Sequence, residues 1–174
     1  MLGCAYPEGV QGLNLGRIAT YMPGLPNTIP GMTTNRLCGS SMQVAHSAAG
    51  AISLGAGEVF LTAGVETMSL VKRGGWNRDL HPAIESDYPD AYISMGLTAE
   101  NLANDYSISR LQQEEFALLS HQKALSAQSK GLLAKEIVPV KSPEKTVEVD
   151  GCMRDSTLEK MARLPPAFID SGTV

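Results

Sequence analysis

Cys38 is the side chain in this sequence best placed to act as a nucleophile. A β-prone approach, Thr33-Thr34-Asn35-Arg36-Leu37, runs into it, and the small residues Gly39, Ser40 and Ser41 follow at once. From 42 to 54 most residues are Ala, Ser, Val, Ile and Leu, with only Gln43 and His46 strongly polar. That composition predicts a helix of about four turns, buried on most sides and stopped at Gly55. Backbone N–H groups and the positive end of the dipole at its N-terminus favour a thiolate over a thiol. An unpaired cysteine also reads as a small buried hydrophobe, and the local residues alone leave both readings open.

A nucleophilic cysteine needs a base. His46 lies eight residues after Cys38, roughly 12 Å along the same helix axis and out of reach in its own chain. His81 precedes Pro82 in a loop, and His121 lies in a charged helix. Both read first as solvated surface histidines, because geometry comes before pKa in choosing a base. Cys38-Gly39-Ser40 overlaps the papain-like signature, but the continuation is Ser41-Met42, and no His or Asn follows Gly151. That class places its partners about 130–150 residues downstream, so the papain reading fails. The sequence offers a nucleophile without a base.

The elements that must position Cys38 are those of an α/β protein. Residues 1–30 hold five glycines and four prolines, which leaves room for one short helix near 14–21 and otherwise turns. After the Cys38 helix, 58–64 is a short apolar run that predicts a buried strand. Residues 69–92 form a polar, turn-rich excursion that marks a boundary. Helices are predicted over 95–106 and again after Ser109, where Ser109-Arg110-Leu111-Gln112 fits a capping box and Gly131 a stop. Short strands follow at 136–140, with Pro139 placing it at an edge, and at 146–149; a last helix spans 157–164.

Composition bounds the rest. The chain has 174 residues, 43% hydrophobic and 18% charged, enough for a folded core. A formal net charge of −4 supplies no basic field, so no nucleic-acid partner is expected. Cys4, Cys38 and Cys152 are odd in number without C-x-x-C spacing, which argues against a disulfide framework or a zinc knuckle and for a reducing compartment. There is no run of about 18 apolar residues to span a membrane and no signal-peptide pattern, and a cytoplasmic location is expected, organellar in a eukaryote. No metal site is expected.

Three phrases, Asn35-Arg36-Leu37-Cys38-Gly39-Ser40-Ser41-Met42-Gln43, Ala63-Gly64-Val65-Glu66-Thr67-Met68-Ser69 and Met95-Gly96-Leu97-Thr98-Ala99-Glu100-Asn101, occur in this order. Together they resemble the thiolases, the first in the wording of the degradative 3-ketoacyl-CoA enzymes of fatty-acid β-oxidation. The resemblance implies a layered α/β fold around a central buried helix, made of two similar halves with a loop domain inserted in the first. On that plan residues 1–70 are part of the N-terminal half and 71–174 most of the loop domain, with the opening strand and helix of the half lacking. It implies acyl transfer through Cys38, with the Cys38 N–H as one oxyanion donor. Met95 matches a methionine beside the pantetheine channel, and Arg154 an arginine near the nucleotide end of coenzyme A, although an ordinary solvated arginine fits that position too. Ser94 stands where biosynthetic acetoacetyl-CoA thiolases carry histidine, which favours the degradative type. The family's Gly-His-Pro base motif and its Cys-x-Gly-Gly-Gly motif are absent from these residues, so the chain reads as a fragment with little activity alone. The runner-up readings are a biosynthetic thiolase and a non-catalytic product that retains a binding surface. Coenzyme A is implied as a substrate with no permanently bound cofactor, and a homodimer or tetramer, with a β-oxidation complex as a further partner, as the assembly.

Overall fold

The computed structural model describes residues 1–22, 24–76 and 79–174. Pro23, Asn77 and Arg78, part of the predicted turn regions, lie outside the described residues. The chain divides into two compact units, Met1–Leu80 and His81–Val174.

The first unit is built on a parallel sheet of three two-residue strands, β1 (Leu2–Gly3), β2 (Thr33–Thr34) and β3 (Ala63–Gly64), in the order β2-β1-β3. Leu2 faces Thr33 on one side and Ala63 on the other, and Gly3 faces Thr34 and Gly64. The ladder is carried by Leu2 N–H to the Met32 carbonyl at 2.9 Å and by Val65 N–H to the Gly3 carbonyl at 3.0 Å, among others. A strand is thus present at the very start of the chain, where turns alone were predicted. Two residues among glycines and prolines leave no local strand signal, and pairing on both edges creates the strand. The short helix near 14–21 is present as α1 (Leu15–Ile18) with a 3-10 turn after it, Ala19–Tyr21.

Helix α2 (Ser40–Ser53) packs on this sheet. A Cβ on Gly3 would overlap the Ser40 and Ser41 backbone, and one on Gly64 would lie 2.9 Å from the Ser41 Cβ. Glycine in the central strand lets the first turn of α2 settle against the sheet. The buried residues of α2 are Ser40, Val44 and Ala48, a single stripe at i, i+4, i+8. The expectation of burial on most sides is corrected, since Leu54 beyond the helix end is 87% exposed and Met42 and Ile52 are also exposed. The predicted buried strand is corrected too: only Ala63–Gly64 pairs, and Val59 and Leu61 are 87% and 81% exposed. Apolar composition states what a segment is able to bury; within this unit one stripe of α2 is buried, while both residues of β3 pair with β1 and stay exposed.

Beside the sheet a polar knot fixes what precedes and follows it. Gln11 is buried, its Nε2 donating to the Tyr6 carbonyl at 2.9 Å and to Glu66 Oε2 at 3.3 Å, while its Oε1 accepts the Thr67 N–H. Glu66 also accepts the Ala5 N–H. The phrase 63–69 is thereby tied to the chain just after β1.

The second unit is helical with one hairpin: α3 (Pro82–Asp87), α4 (Met95–Asp105), α5 (Arg110–Ser129), β4 (Val140–Lys141), β5 (Thr146–Val147) and α6 (Leu158–Met161). Helix α3 and the 3-10 turn Pro89–Tyr92 lie in the stretch predicted as turns; Pro82 at the first helical position and Glu85 in the first turn are the signals that mark α3. The capping box of α5 is present as predicted, with Ser109 and Gln112 bonded reciprocally. Strands β4 and β5 pair antiparallel, Val140 facing Val147, and are shorter than predicted. Helix α6 is shorter as well, starting after the Thr157 cap and ending at Met161.

The end of the chain is clamped onto α4 and α5. Glu100 is buried and accepts the Thr173 N–H at 2.9 Å and the Val174 N–H at 2.9 Å. Arg110 pairs with buried Glu114 at 2.6 Å and reaches the Leu164 carbonyl at 3.3 Å. The Phe168 ring lies against Gly96, in space that a Cβ there would fill. The Thr173 and Val174 N–H groups hold the Glu100 carboxyl below the usual carboxylate range, against the opposing effect of burial.

Gly3→Ala forces α2 off the sheet and is expected to cost about 1–3 kcal/mol. Gly50→Ala, on an open helical surface with no atom near the new methyl, is expected to gain about 0.5–1 kcal/mol. Chemical denaturation of both variants checks the opposite signs. Because the folded Glu100 carboxyl is lowered, its contribution is fully present above the ordinary carboxylate range and is lost as pH falls through the lowered folded value. Acid titration followed by NMR should therefore shift the Thr173 and Val174 amides in one step below that range, and Glu100→Gln should abolish the step and lower Tm at neutral pH.

Candidate active site

Cys38 lies in the turn that feeds α2. After β2, the Asn35 side chain folds back so that its Oδ1 accepts the Leu37 N–H at 2.8 Å, the local bond that makes asparagine a turn former. Leu37 then adopts φ 46°, in the left-handed region, at a cost of about 1–2 kcal/mol for a residue with a Cβ. The Ser40 hydroxyl fastens the loop, donating to the Leu37 carbonyl at 2.5 Å and accepting the Arg36 N–H at 2.9 Å. Arg36 in turn donates to Gln43 Oε1 at 2.7 Å, one helical turn on. Backbone strain held by surrounding bonds is the arrangement found where a turn must present a reactive group.

The result is an exposed thiol, with Cys38 one residue outside the Gly39 N-cap of a 14-residue helix. It lies at the N-terminal end of a helix of about four turns, as expected, though that helix is buried along one stripe. Gly39 caps α2 with no side-chain bond, so the first-turn N–H groups are not taken by a capping side chain. The other two cysteines differ from it. Cys4 is fully buried next to Gln11; burial pushes its thiol up, a backbone hydrogen bond at Tyr6 opposes this, and the charge and hydrogen bond of Glu66 add to it. Cys152 is exposed in an irregular segment, its N–H bonded to Asp150 at 2.9 Å.

The three histidines are now placed. His46 is exposed on α2, in the first unit with Cys38. His81 is the N-cap of α3, its N–H donating to the Tyr92 hydroxyl at 3.3 Å. His121, half-buried on α5, accepts the Arg154 N–H at Nδ1, 3.2 Å.

A family model, the thiolase N-terminal domain, matches residues 1–174. The chain belongs to the thiolase family. It is 43% identical to the 3-ketoacyl-CoA thiolase of Pseudoalteromonas translucida, an alignment covering 99% of this chain and 46% of that protein. It is 42% identical to the peroxisomal 3-ketoacyl-CoA thiolase A of rat, over 95% of this chain and 41% of the relative. With the 3-ketoacyl-CoA thiolase of Bacillus subtilis the identity is 38%, over all of this chain and 48% of the relative. This thiolase chain thus spans a little under half the length of the curated relatives it matches.

The other predicted site residues of the thiolase chain lie in the second unit. Met95 opens α4 and is 62% exposed, just after the Ser94 cap, whose Oγ accepts the Leu97 N–H at 3.2 Å. Arg154 is exposed, and among the described residues its guanidinium makes no hydrogen bond or ion pair. A cleft of about 540 Å³ lined by Asn101, Asn104, Ser109, Ile169 and Thr173 contains neither residue. Among the described residues no cluster of ligands suits a metal ion, and no helix is long and apolar enough to cross a membrane. The residues that sequence reasoning passed over are Asn35, Ser40, Glu66 and Glu100, which hold backbone rather than do chemistry. A polar side chain inside an otherwise small or apolar phrase is the signal that marks them.

Iodoacetamide distinguishes the thiols. Cys38 should be alkylated first, Cys152 more slowly, and Cys4 at least about 10-fold more slowly than Cys38 in the folded chain, since only an accessible thiolate reacts. Peptide mapping after timed quenching reads the order. Labelling of Cys152 as fast as Cys38 would remove any special reactivity from the α2 turn.

Proposed function

We propose that this chain supplies the nucleophilic part of a degradative 3-ketoacyl-CoA thiolase, an acetyl-CoA acyltransferase. The observation that carries the reading is the exposed Cys38 thiol, held by a fastened, strained turn at the start of α2 in a chain of the thiolase family. In the first half-reaction the Cys38 thiolate adds to the 3-keto carbon. The bond between C2 and C3 then breaks, its electron pair passes to C2, and a proton from a general acid completes acetyl-CoA. In the second, the thiolate of free coenzyme A attacks the acyl thioester and Cys38 leaves as thiolate. The Cys38 N–H supplies one donor to the oxyanion formed in each step.

Coenzyme A thioesters are the substrates in this reading and no cofactor is permanently bound. Met95 lines the pantetheine path and Arg154 meets the anionic nucleotide end. What supports Arg154 is its exposed guanidinium with no protein partner among the described residues, the state of a cation kept for a ligand. Residues 1–70 belong to the N-terminal α/β half and 71–174 to the loop domain. The acid–base groups that proton transfer requires come from the Gly-His-Pro and Cys-x-Gly-Gly-Gly motifs of the family, which are not among these residues. Chains associate as a homodimer or tetramer, which the exposed Met42, Ile52 and Leu54 favour.

The test mixes the chain with a 3-ketoacyl-CoA and coenzyme A and follows loss of the keto-thioester, with light scattering on the same samples. Without the base, turnover should fall at least about 10²-fold below the usual 10 s⁻¹ or so. Mass spectrometry should still find acyl groups on Cys38 and none in Cys38→Ala. Acylation spread evenly over Cys38 and Cys152 would sink the nucleophile assignment. Full turnover abolished by Cys38→Ala would place a base within this chain, and a clean monomer would remove the assembly.

A further inference from the structure

The segment 148–156, which carries Arg154, has no helix or strand. Its Cys152 N–H bonds locally to Asp150. Among the described residues the one hydrogen bond that ties it to a distant part of the chain runs from the Arg154 N–H to His121 Nδ1 at 3.2 Å, across 33 positions. His121 is half-buried on α5, whose start is fixed by the capping box and by Arg110 with Glu114. The imidazole therefore joins the 20-residue helix α5 to an irregular loop at the very residue whose exposed guanidinium makes no hydrogen bond or ion pair among the described residues. Accepting at Nδ1 uses the lone pair of that nitrogen.

We propose that His121 is a positioning residue for coenzyme A binding: it holds the Arg154 backbone on α5 so that the guanidinium is presented to the phosphates of the nucleotide end. The inference rests on the reading of Arg154 as a coenzyme A contact. A long side chain reaches a doubly charged phosphate with useful geometry only if its own Cα is fixed, because an ordering cost otherwise falls on each binding event. His121 thus acts through Arg154 and touches no reacting atom, which separates it from the missing base.

The test uses the full chain and two His121 variants. Phenylalanine keeps an aromatic ring without an acceptor, whereas glutamine keeps an amide oxygen able to accept the Arg154 N–H. By NMR hydrogen exchange, the Arg154 amide should exchange about 10-fold faster in His121→Phe, the equivalent of one ordinary hydrogen bond, and return to near the parent rate in His121→Gln. Calorimetry with coenzyme A should show about a 10-fold weaker Kd for His121→Phe, restored by His121→Gln. Arg154→Ala should weaken Kd at least as much, and adding His121→Phe to it should change little, because the two act as one unit. Equal exchange rates at Arg154 in all three proteins would overturn the positioning role whatever the affinities. Undiminished binding in Arg154→Ala, or no binding by the parent chain, would instead sink the coenzyme A reading, and the positioning role for that ligand with it. Melting curves confirm that each variant is folded; if His121→Phe melts early, His121→Leu, which also lacks the acceptor, takes its place in the exchange and binding measurements.

Discussion

The close approach of α2 to β1 at Gly3 is the constraint on which the first unit depends. Each of the three strands is only two residues long, too short to hold a sheet by ladder bonds alone. What keeps them together is the helix laid across them, and it can lie that close only because the central strand presents hydrogen where any other residue has a Cβ. Val44 and Ala48 follow on the same stripe and are buried as a consequence. The position of Cys38 is a consequence as well, because a helix whose first turn is pinned to the sheet fixes where the chain must enter it.

The entry turn shows how local bonds oppose local strain. Left to itself, Leu37 would leave the left-handed region, and the chain between β2 and α2 would straighten. The Asn35 amide, the Ser40 hydroxyl and the Arg36–Gln43 bond each close a small ring of backbone around it, and together they exceed a cost of about 1–2 kcal/mol. Between Cys38 and the helix stands only Gly39, which has no side chain to set against the exposed thiol. Exposure and fixed direction arise from the same residues.

Legibility followed the range of the interaction. Helix α5 was readable to its cap because Ser109 and Gln112 are three residues apart and need nothing else. Helix α4 has a local cap of its own at Ser94, whereas α2, capped by Gly39 without a side-chain bond, was readable from its run of small and apolar residues. Strand β1 was not, since Leu2 and Gly3 become a strand only by pairing with residues 31 and 61 positions away. Burial was misjudged for 58–64 and most of α2 because apolar residues there have no covering partner in their own unit. Cys38 stood out by residue type and context, whereas the link from His121 to Arg154 joins residues whose spacing in sequence carries no periodic or motif signal.

The phrases that mark the family divide by task, and the structure supplies the reason. In 63–69, Gly64 admits the α2 turn while Glu66 accepts the Ala5 N–H. In 95–101, Gly96 admits the Phe168 ring while Glu100 accepts the Thr173 and Val174 N–H groups. Each pairs a missing side chain with a carboxylate that collects backbone donors from a distant part of the chain, a solution that needs those residue types for packing and charge-assisted bonding. Of the three phrases only 35–43 also carries a cysteine, whose thiol is exposed, so the glycine and the carboxylate in each of the other two speak for how the units are closed.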